Sequence, residues 1–279
     1  MPGFRTIIIG NACRLSYKNN HLLIYGESSK MIHLSEISNI VVSSNKVVLS
    51  TYLLSELIAN KINIVFCDER HLPQSILAPL FGHFHSSKMV REQIKWDDIT
   101  KKVIATHIIK KKIANQAFLL EKFGHYRESS MIYEYLQHVE LGDATNREGH
   151  SAKVYFNGLF GLNFTRDETN SLNAMLDYGY AIVHSAVSRE IVACGYLTQL
   201  GIHHDNQFNF FNLSSDLVEP CRIVVDNFVY QNKDIIFDTQ CKHKLVNLLN
   251  SKVLFEDKNQ FLNNHAKQLE VCIAHLALV

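Results

Sequence analysis

No C-x-x-C pair occurs in this 279-residue chain, and its six cysteines (Cys13, Cys67, Cys194, Cys221, Cys241 and Cys272) are widely scattered. That excludes a zinc ribbon and fits buried thiols in a reducing cytosol. Long apolar runs are also missing: none reaches the ~18 residues that a membrane span needs. The start, Met1 to Arg5 followed by Thr-Ile-Ile-Ile, does not have the layout of a signal peptide. The expectation is a cytoplasmic protein with no membrane partner. A Gly-rich phosphate loop and a nucleophile elbow are absent from the N-terminal part, which removes the commonest nucleotide-binding and Ser-hydrolase arrangements there. Neither sign of charge dominates, with 28 Lys+Arg against 27 Asp+Glu and a formal charge of +1. A nucleic-acid partner therefore has to be sought in local patches rather than in net charge.

What is present is enough apolar material for a real core, 47% of the chain. Over residues 1–82 short β-rich runs follow one another at 6–9, 13–17, 21–25, 31–33, 40–42 and 47–49. Turns are expected around Gly10-Asn11 and Lys18-Asn19-Asn20. An amphipathic helix over 52–60, capped at Ser50-Thr51, and an apolar strand over 63–66 complete this part. The segment 83–92, which contains His83 and His85, reads as a linker; the H-x-H pair has no partner spacing to support metal binding. From 93 on the apolar period becomes 3.6. Helices are expected over 93–123 with a break near Asp97-Asp98, over 131–139, from Glu148, over 170–200, from Asp216, and over 240–250 and 261–278. The fold class is therefore α+β: a small, mainly antiparallel N-terminal β-domain (1–82) followed by a larger all-α domain (93–279).

Chemistry concentrates in four places. Residues 201–222 form an Asn-rich loop with His203 and His204, then a helix expected to open with Asp216 and Glu219 and to carry Arg222 beyond them. Hard oxygen ligands beside an imidazole are what a divalent cation uses. Upstream, Ala152, Tyr155, Phe156, Leu159 and Phe160 make an inward helical stripe. Glu148 heads it, and a carboxylate in that position costs free energy unless it is paired or binds a cation. Both acids also fit a second pattern, because Thr145-x-x-Glu148 and Asp216-x-x-Glu219 match a capping box. In the helix over 170–200, Asn173, Tyr178 and Tyr180 are polar tips on an apolar stripe, with buried hydrogen bonding as the default role and ligand contact as the alternative for Tyr178. Finally, Lys101, Lys102, Lys110, Lys111 and Lys112 make a basic helical face, either solvated or tracking phosphates.

Taken together, Asn146-Arg147-Glu148-Gly149-His150-Ser151-Ala152, Gly201-Ile202-His203-His204 and Ser215-Asp216-Leu217-Val218-Glu219-Pro220-x-Arg222 resemble the CRISPR-associated spacer-acquisition integrases, the first family of Cas proteins. The run 173–180 and the Asn-Gln-Phe-Asn-Phe-Phe-Asn stretch are similar to the same family, and residues 14–22 and 32–37 look most like its type II-A branch. The resemblance implies an N-terminal β-domain used for homodimerisation and a helical domain with one metal site per subunit. It places the catalytic metal ligands on Glu148, His204 and Glu219, preferring His204 to His203 and Glu219 to Asp216, a choice that spacing alone leaves open. Asp216, Arg222, Tyr178 and Asn173 become site-lining or DNA-contacting residues. Mg²⁺ or Mn²⁺ suits the donor set. The implied activity is CRISPR adaptation in antiviral defence. The 3′-OH of a prespacer duplex attacks a phosphodiester at the edge of a repeat, and water as nucleophile would make the same site a DNA endonuclease. Implied partners are double-stranded DNA (prespacer and repeat), the second Cas protein in a four-to-two complex, and other type II-A adaptation proteins. Cys221 stands where the family usually has an aromatic, and Ile223 where proline is common. The alternatives are a stand-alone branched-DNA nuclease and a non-catalytic DNA-binding scaffold whose acids are only caps.

Overall fold

The computed structural model describes residues 5–69, 73–77, 85–250, 252–255 and 258–261. The chain begins with β1 (Arg5–Ile9), β2 (Cys13–Lys18), β3 (His21–Tyr25), β4 (Ser29–His33), β5 (Ile37–Val42) and β6 (Val47–Leu49). Helix α1 (Thr51–Ala59), β7 (Asn63–Cys67) and β8 (Pro73–Leu77) follow. These make two four-stranded sheets, ordered β1-β5-β7-β8 and β4-β3-β2-β6.

The expected β-rich half is present, but it is not mainly antiparallel. Strands β2, β3 and β4 form the expected meander, and β8 adds antiparallel to β7. Asn19 and Asn20 both take positive φ, 48° and 61°, as a tight hairpin between β2 and β3 requires. The pairs β1–β5, β5–β7 and β2–β6, by contrast, are parallel. For the two pairs made by β5 the cause is burial on both faces. Every residue of β5 is buried, with Ile40 and Val42 joining the core between sheet and α1 and Val41 joining the helical core on the opposite side. A strand covered on both faces reads as a continuous apolar run and belongs with parallel neighbours reached by a crossover. Here the crossover from β5 to β7 carries α1.

The helical part comprises α2 (Ser86–Ile94), α3 (Asp98–Lys122), α4 (Tyr126–Gln137), α5 (Arg147–Phe160), α6 (Ser171–Ala193), α7 (Asn212–Val218), α8 (Arg222–Gln231) and α9 (Thr239–Asn247), with β9 (Lys252–Phe255) and β10 (Lys258–Phe261) after it. Helix α2 falls largely within the segment read as a linker, while His83 lies outside the described residues. The break expected near Asp97 is real: its side chain caps α3, accepting from the Thr100 N–H at 2.7 Å. Helix α6 stops at Ala193 rather than near 200, because Gly195 turns the chain at φ +87°, a glycine stop signal that the apolar stripe overran. The helix expected over 261–278 lies beyond the described residues from 262 on, and 258–261 form a strand paired with β9.

Helix α6 is the spine of this half. Its buried residues contact both the sheet, through Val41 and Val65, and α7, α8 and α9 through Leu213, Val225 and Leu245. Gly179 makes the α6–α8 approach possible, since a Cβ there would stand 2.4 Å from Val225 Cγ1. Arg189, paired with Glu190, donates to the Ser38 carbonyl at 2.8 Å and ties α6 to β5. Among the described residues no helix is long and apolar enough to cross a membrane. Cys194, Cys221 and Cys241 are buried, as expected for structural thiols, while Cys13 and Cys67 are half-buried.

Candidate functional site

The opening of α5 shows why Glu148 is available for chemistry. The capping box that Thr145 and Glu148 could have made does not form, and Thr145 Oγ1 is left without a hydrogen-bond partner among the described residues. Asn146, in the left-handed region at φ 51°, caps the helix by accepting from the Gly149 N–H at 3.2 Å. Asp143 takes the Arg147 and Glu148 N–H groups at 2.8 and 2.9 Å. With the helix end satisfied by these neighbours, the Glu148 carboxylate turns inward and meets the Lys112 ammonium of α3 at 2.6 Å.

Glu219 reaches the same ammonium from the other side. The helix expected to start at Asp216 instead spans Asn212–Val218 and ends there; Pro220 interrupts the ladder, and Glu219–Cys221 form a 3₁₀ turn before α8. Asn115 of α3 donates to the Pro220 carbonyl at 2.8 Å and anchors that turn. Glu219 Oε2 then lies 2.5 Å from Lys112 Nζ, while Arg222 holds Oε1 through Nε and Nη2, both at 2.9 Å. The Arg222 guanidinium lies over the Tyr180 ring at 4.6 Å. Burial pushes the Glu219 carboxyl up, but Lys112 and Arg222 outweigh it and hold the group below its usual range. Burial likewise works against the Lys112 ammonium, and Glu219 and Glu148 more than compensate, leaving it above the ordinary lysine value.

His204 is positioned by a buried carboxylate. Asp216 sits inside α7, 2% exposed. Far from capping its helix, it accepts the backbone N–H groups of Ile202, His203 and His204 at 2.6, 3.2 and 2.9 Å. Its Oδ1 also lies 2.7 Å from His204 Nδ1. An ionised carboxylate only accepts, so the neutral imidazole carries its proton on Nδ1 and keeps the Nε2 lone pair bare. The Asp216 hydrogen bond raises the His204 pKa against burial, and the charges of Asp216, Glu219 and Glu148 add to the rise. The imidazole thus lies within electrostatic reach of both glutamates. Gly201 is required for this wrap, because a Cβ there would fall 2.1 Å from the His204 carbonyl oxygen.

A cavity of about 220 Å³ adjoins Glu219, walled also by Lys112, Phe156, Arg166, Tyr180, Arg222 and Asp226 among others. Of the two other residues singled out from sequence, neither reaches this wall. Tyr178 is 1% exposed in the core, edge-on to Phe237 at 5.9 Å, so its ligand-facing alternative is corrected. Asn173 acts one contact away. Its Nδ2 donates to the Thr165 and Glu168 carbonyls, both at 2.8 Å, and its Oδ1 accepts from Arg166. Arg166 in turn lies over Tyr180 at 5.5 Å. Cys221, at the usual aromatic position, is buried, and burial with nearby Glu219 pushes its thiol up to about 12; Ile223 lines the cavity.

Lys112, Asn115, Arg166 and Asp226 were not identified as site residues from sequence. For Lys112 a signal existed. Successive residues of an α-helix are turned by about 100°, so Lys110, Lys111 and Lys112 cannot share one solvated face. The first two are exposed and Lys112 is not.

Asp226 closes the floor of the cavity, 3% exposed, accepting from Tyr155 Oη at 2.8 Å and from Tyr180 Oη. Burial pushes its carboxyl up to about 6 against the lowering effects of both tyrosines, Arg222 and Arg166. The folded carboxyl therefore holds its proton more tightly than the unfolded chain, where the value is about 3.9. Its contribution to stability is complete below the unfolded value and is lost as pH rises through about 6. The stability of wild type minus that of Asp226→Asn, from urea midpoints between about pH 4 and pH 7, is expected to decline as pH rises. A flat difference would remove this assignment.

The fold and site are those of a protein with a strand-rich N-terminal part and a larger helical part, in which two glutamates meet on one lysine, a buried carboxylate orients a histidine, and a cavity edged with arginines adjoins one of the glutamates. A family model described as CRISPR associated protein Cas1 matches residues 6–252. The chain belongs to the Cas1 family. It is 34% identical over 225 residues to the CRISPR-associated endonuclease Cas1 of Neisseria meningitidis serogroup C (strain 8013), spanning 80% of this chain and 74% of that protein. In fold it is similar to a casposase bound to integration product, with a TM-score of 0.78 at 16% identity over 98% of this chain and 91% of the other. It is also similar to a chain of a Cas6-RT-Cas1–Cas2 complex, with a TM-score of 0.73 at 16% identity, covering 97% of this chain and 35% of that one.

Proposed function

We propose that this chain is a metal-dependent DNA integrase and endonuclease of CRISPR adaptation, with Glu148, His204 and Glu219 as its metal ligands. The observation that carries the reading is the convergence of Glu148 and Glu219, 71 residues apart in sequence, on one largely enclosed cation, Lys112, with the His204 imidazole within electrostatic reach of both. Family membership and the named endonuclease relative support it.

Among the described residues, no three His, Cys, Asp or Glu side chains stand within metal-holding distance of one another as the chain is arranged; the cation between the carboxylates is Lys112. The donor set nonetheless fits a divalent ion. Glu219 Oε2 is buried with no donor aligned on it as a hydrogen bond, although the Lys112 charge is 2.5 Å away. Two carboxylates and one imidazole form the hard, mixed set that Mg²⁺ and Mn²⁺ accept, with the imidazole favouring Mn²⁺. Such an ion, when bound, supplies Lewis-acid polarisation of a phosphodiester and lowers the pKa of an attacking hydroxyl.

The remaining roles belong to the chain. Asp216 fixes the His204 tautomer and ring direction, as carboxylate partners of ligating histidines do. Arg222 and Arg166 place positive charge at the cavity edge, where a DNA backbone would be bound, and the exposed Lys110 and Lys111 extend that charge along α3. Homodimerisation and pairing with the second Cas protein, in a four-to-two complex, belong to the same proposal. They rest on family membership and on the likeness to a chain of a Cas1–Cas2 complex.

Incubation of the full chain and its small partner with prespacer duplex, a repeat-containing plasmid and Mn²⁺ is expected to join prespacer 3′ ends to the repeat edge. Nicks without joined strands would favour a stand-alone nuclease. An inert protein whose thermal midpoint is unmoved by Mn²⁺ would favour a scaffold.

A further inference from the structure

We infer that Lys112 is a built-in counter-cation of the Glu148–Glu219 pair, displaced when a divalent ion enters, so that it sets the metal concentration at which the site loads. The inference rests on the reading that both glutamates are metal ligands. It concerns a residue outside the proposed ligand set.

The geometry carries it. Lys112 Nζ stands 2.6 Å from Glu148 Oε1 and 2.5 Å from Glu219 Oε2, the two oxygens that a shared cation would need. The side chains are enclosed: Lys112 is 17% exposed, Glu148 24% and Glu219 11%. Two carboxylates this close and this buried repel each other and lose hydration unless a cation lies between them. Arg222 covers Glu219 through Oε1 alone, and among the described residues Lys112 is the basic side chain paired with Glu148. Lys112 therefore performs two opposed tasks. It holds the carboxylates near ligating separation before metal arrives, and it occupies their charge so that the arriving ion must compete.

The residue type suits exchange. A lysine ammonium is a compact point charge on a flexible four-carbon stem, able to leave without rearranging its helix; a guanidinium would bind as a rigid fork. The backbone of α3 is meanwhile fixed beside the Glu219 turn by Asn115. A purely structural brace and a competing cation predict opposite signs. Loss of a brace splays the ligands and weakens metal binding, whereas loss of a competitor strengthens it.

The test uses the full-length protein and Mn²⁺ alone, titrated by calorimetry at constant pH. Lys112→Gln is expected to bind Mn²⁺ at least roughly tenfold more tightly than wild type, since one nearby positive charge no longer opposes the ion. Its metal-free thermal midpoint should fall, and Mn²⁺ should raise that midpoint further than it does in wild type. Lys112→Arg, which keeps the charge, should bind no more tightly than wild type. Wild type binding Mn²⁺ as tightly as Lys112→Gln, or more tightly, overturns the role of Lys112 and leaves the metal reading standing. Binding by neither protein removes both.

Should Lys112→Gln fail to fold without metal, wild type labelled with ¹³Cε-lysine gives a second measurement. The resonance missing from Lys112→Arg belongs to Lys112, and it should move as diamagnetic Mg²⁺ saturates the site. A resonance unmoved at saturation overturns the proposal.

Discussion

Glu219→Ala is expected to lower prespacer strand transfer by at least about 100-fold while leaving the chain folded. Losing an outer partner of a metal ligand already costs 10–100-fold in comparable sites, so losing a ligand should reach or pass the upper end of that range. Stability should suffer far less. Lys112 keeps Glu148 at 2.6 Å. Arg222, one-third exposed, can recover water and keep its place over Tyr180, so the loss should stay near ~2 kcal/mol or below. Gel assays of joined product, with urea unfolding of the same samples, separate the two effects. Glu148→Ala and His204→Ala should behave alike, and a double variant should be little worse than either single one, because groups that serve one ion fail together. Wild-type rates in the three single variants would sink the ligand assignment.

Asp216→Ala should give the largest loss of stability in the site, about 3–5 kcal/mol, or roughly 10 °C in Tm for a chain of this size. The reason is what it leaves behind. Three backbone N–H groups and His204 Nδ1 converge on this carboxylate, which is 2% exposed, so alanine orphans several donors at once. Asp216→Asn should be only partly better. Its amide keeps one acceptor and turns an NH₂ toward groups that also donate. Both variants should lose strand transfer as well, because the imidazole loses the bond that fixes its tautomer. Scanning calorimetry of the metal-free protein checks the stability; a Tm within ~2 °C of wild type for Asp216→Ala would show that the 201–204 loop does not depend on this carboxylate.

These two acids stand three residues apart in sequence and do different work, which spacing did not reveal. Read as Asp216-x-x-Glu219, they suggested one helix start and a capping box. In three dimensions the helix starts at Asn212 and breaks at Glu219-Pro220. The break turns Glu219 toward Lys112 while Asp216 stays inside α7 beneath the histidine loop. A proline ends a helix wherever its neighbours let the chain turn, so its presence alone did not fix whether it opened or closed one. Likewise, the β-half was legible as strands because alternation and turn residues are local. Its parallel pairings were not, because they depend on which strand the crossover returns to and on the cover that α6 supplies to the second face of β5.

Local sequence was enough to read the amphipathic periods, the Asn19-Asn20 turn, the break near Asp97 and the residue types able to hold a divalent cation. Each is set by interactions within a few residues, or by the chemistry of a single side chain. Packing settles which carboxylates share a cation, that Asp216 orients His204, that Tyr178 belongs to the core, and that Lys112 leaves the basic face to stand between Glu148 and Glu219. Those outcomes depend on how α3, α5, α7 and α8 pack together. The energy of a buried charge is settled by the partners that packing brings within a few ångströms, whatever their distance along the chain.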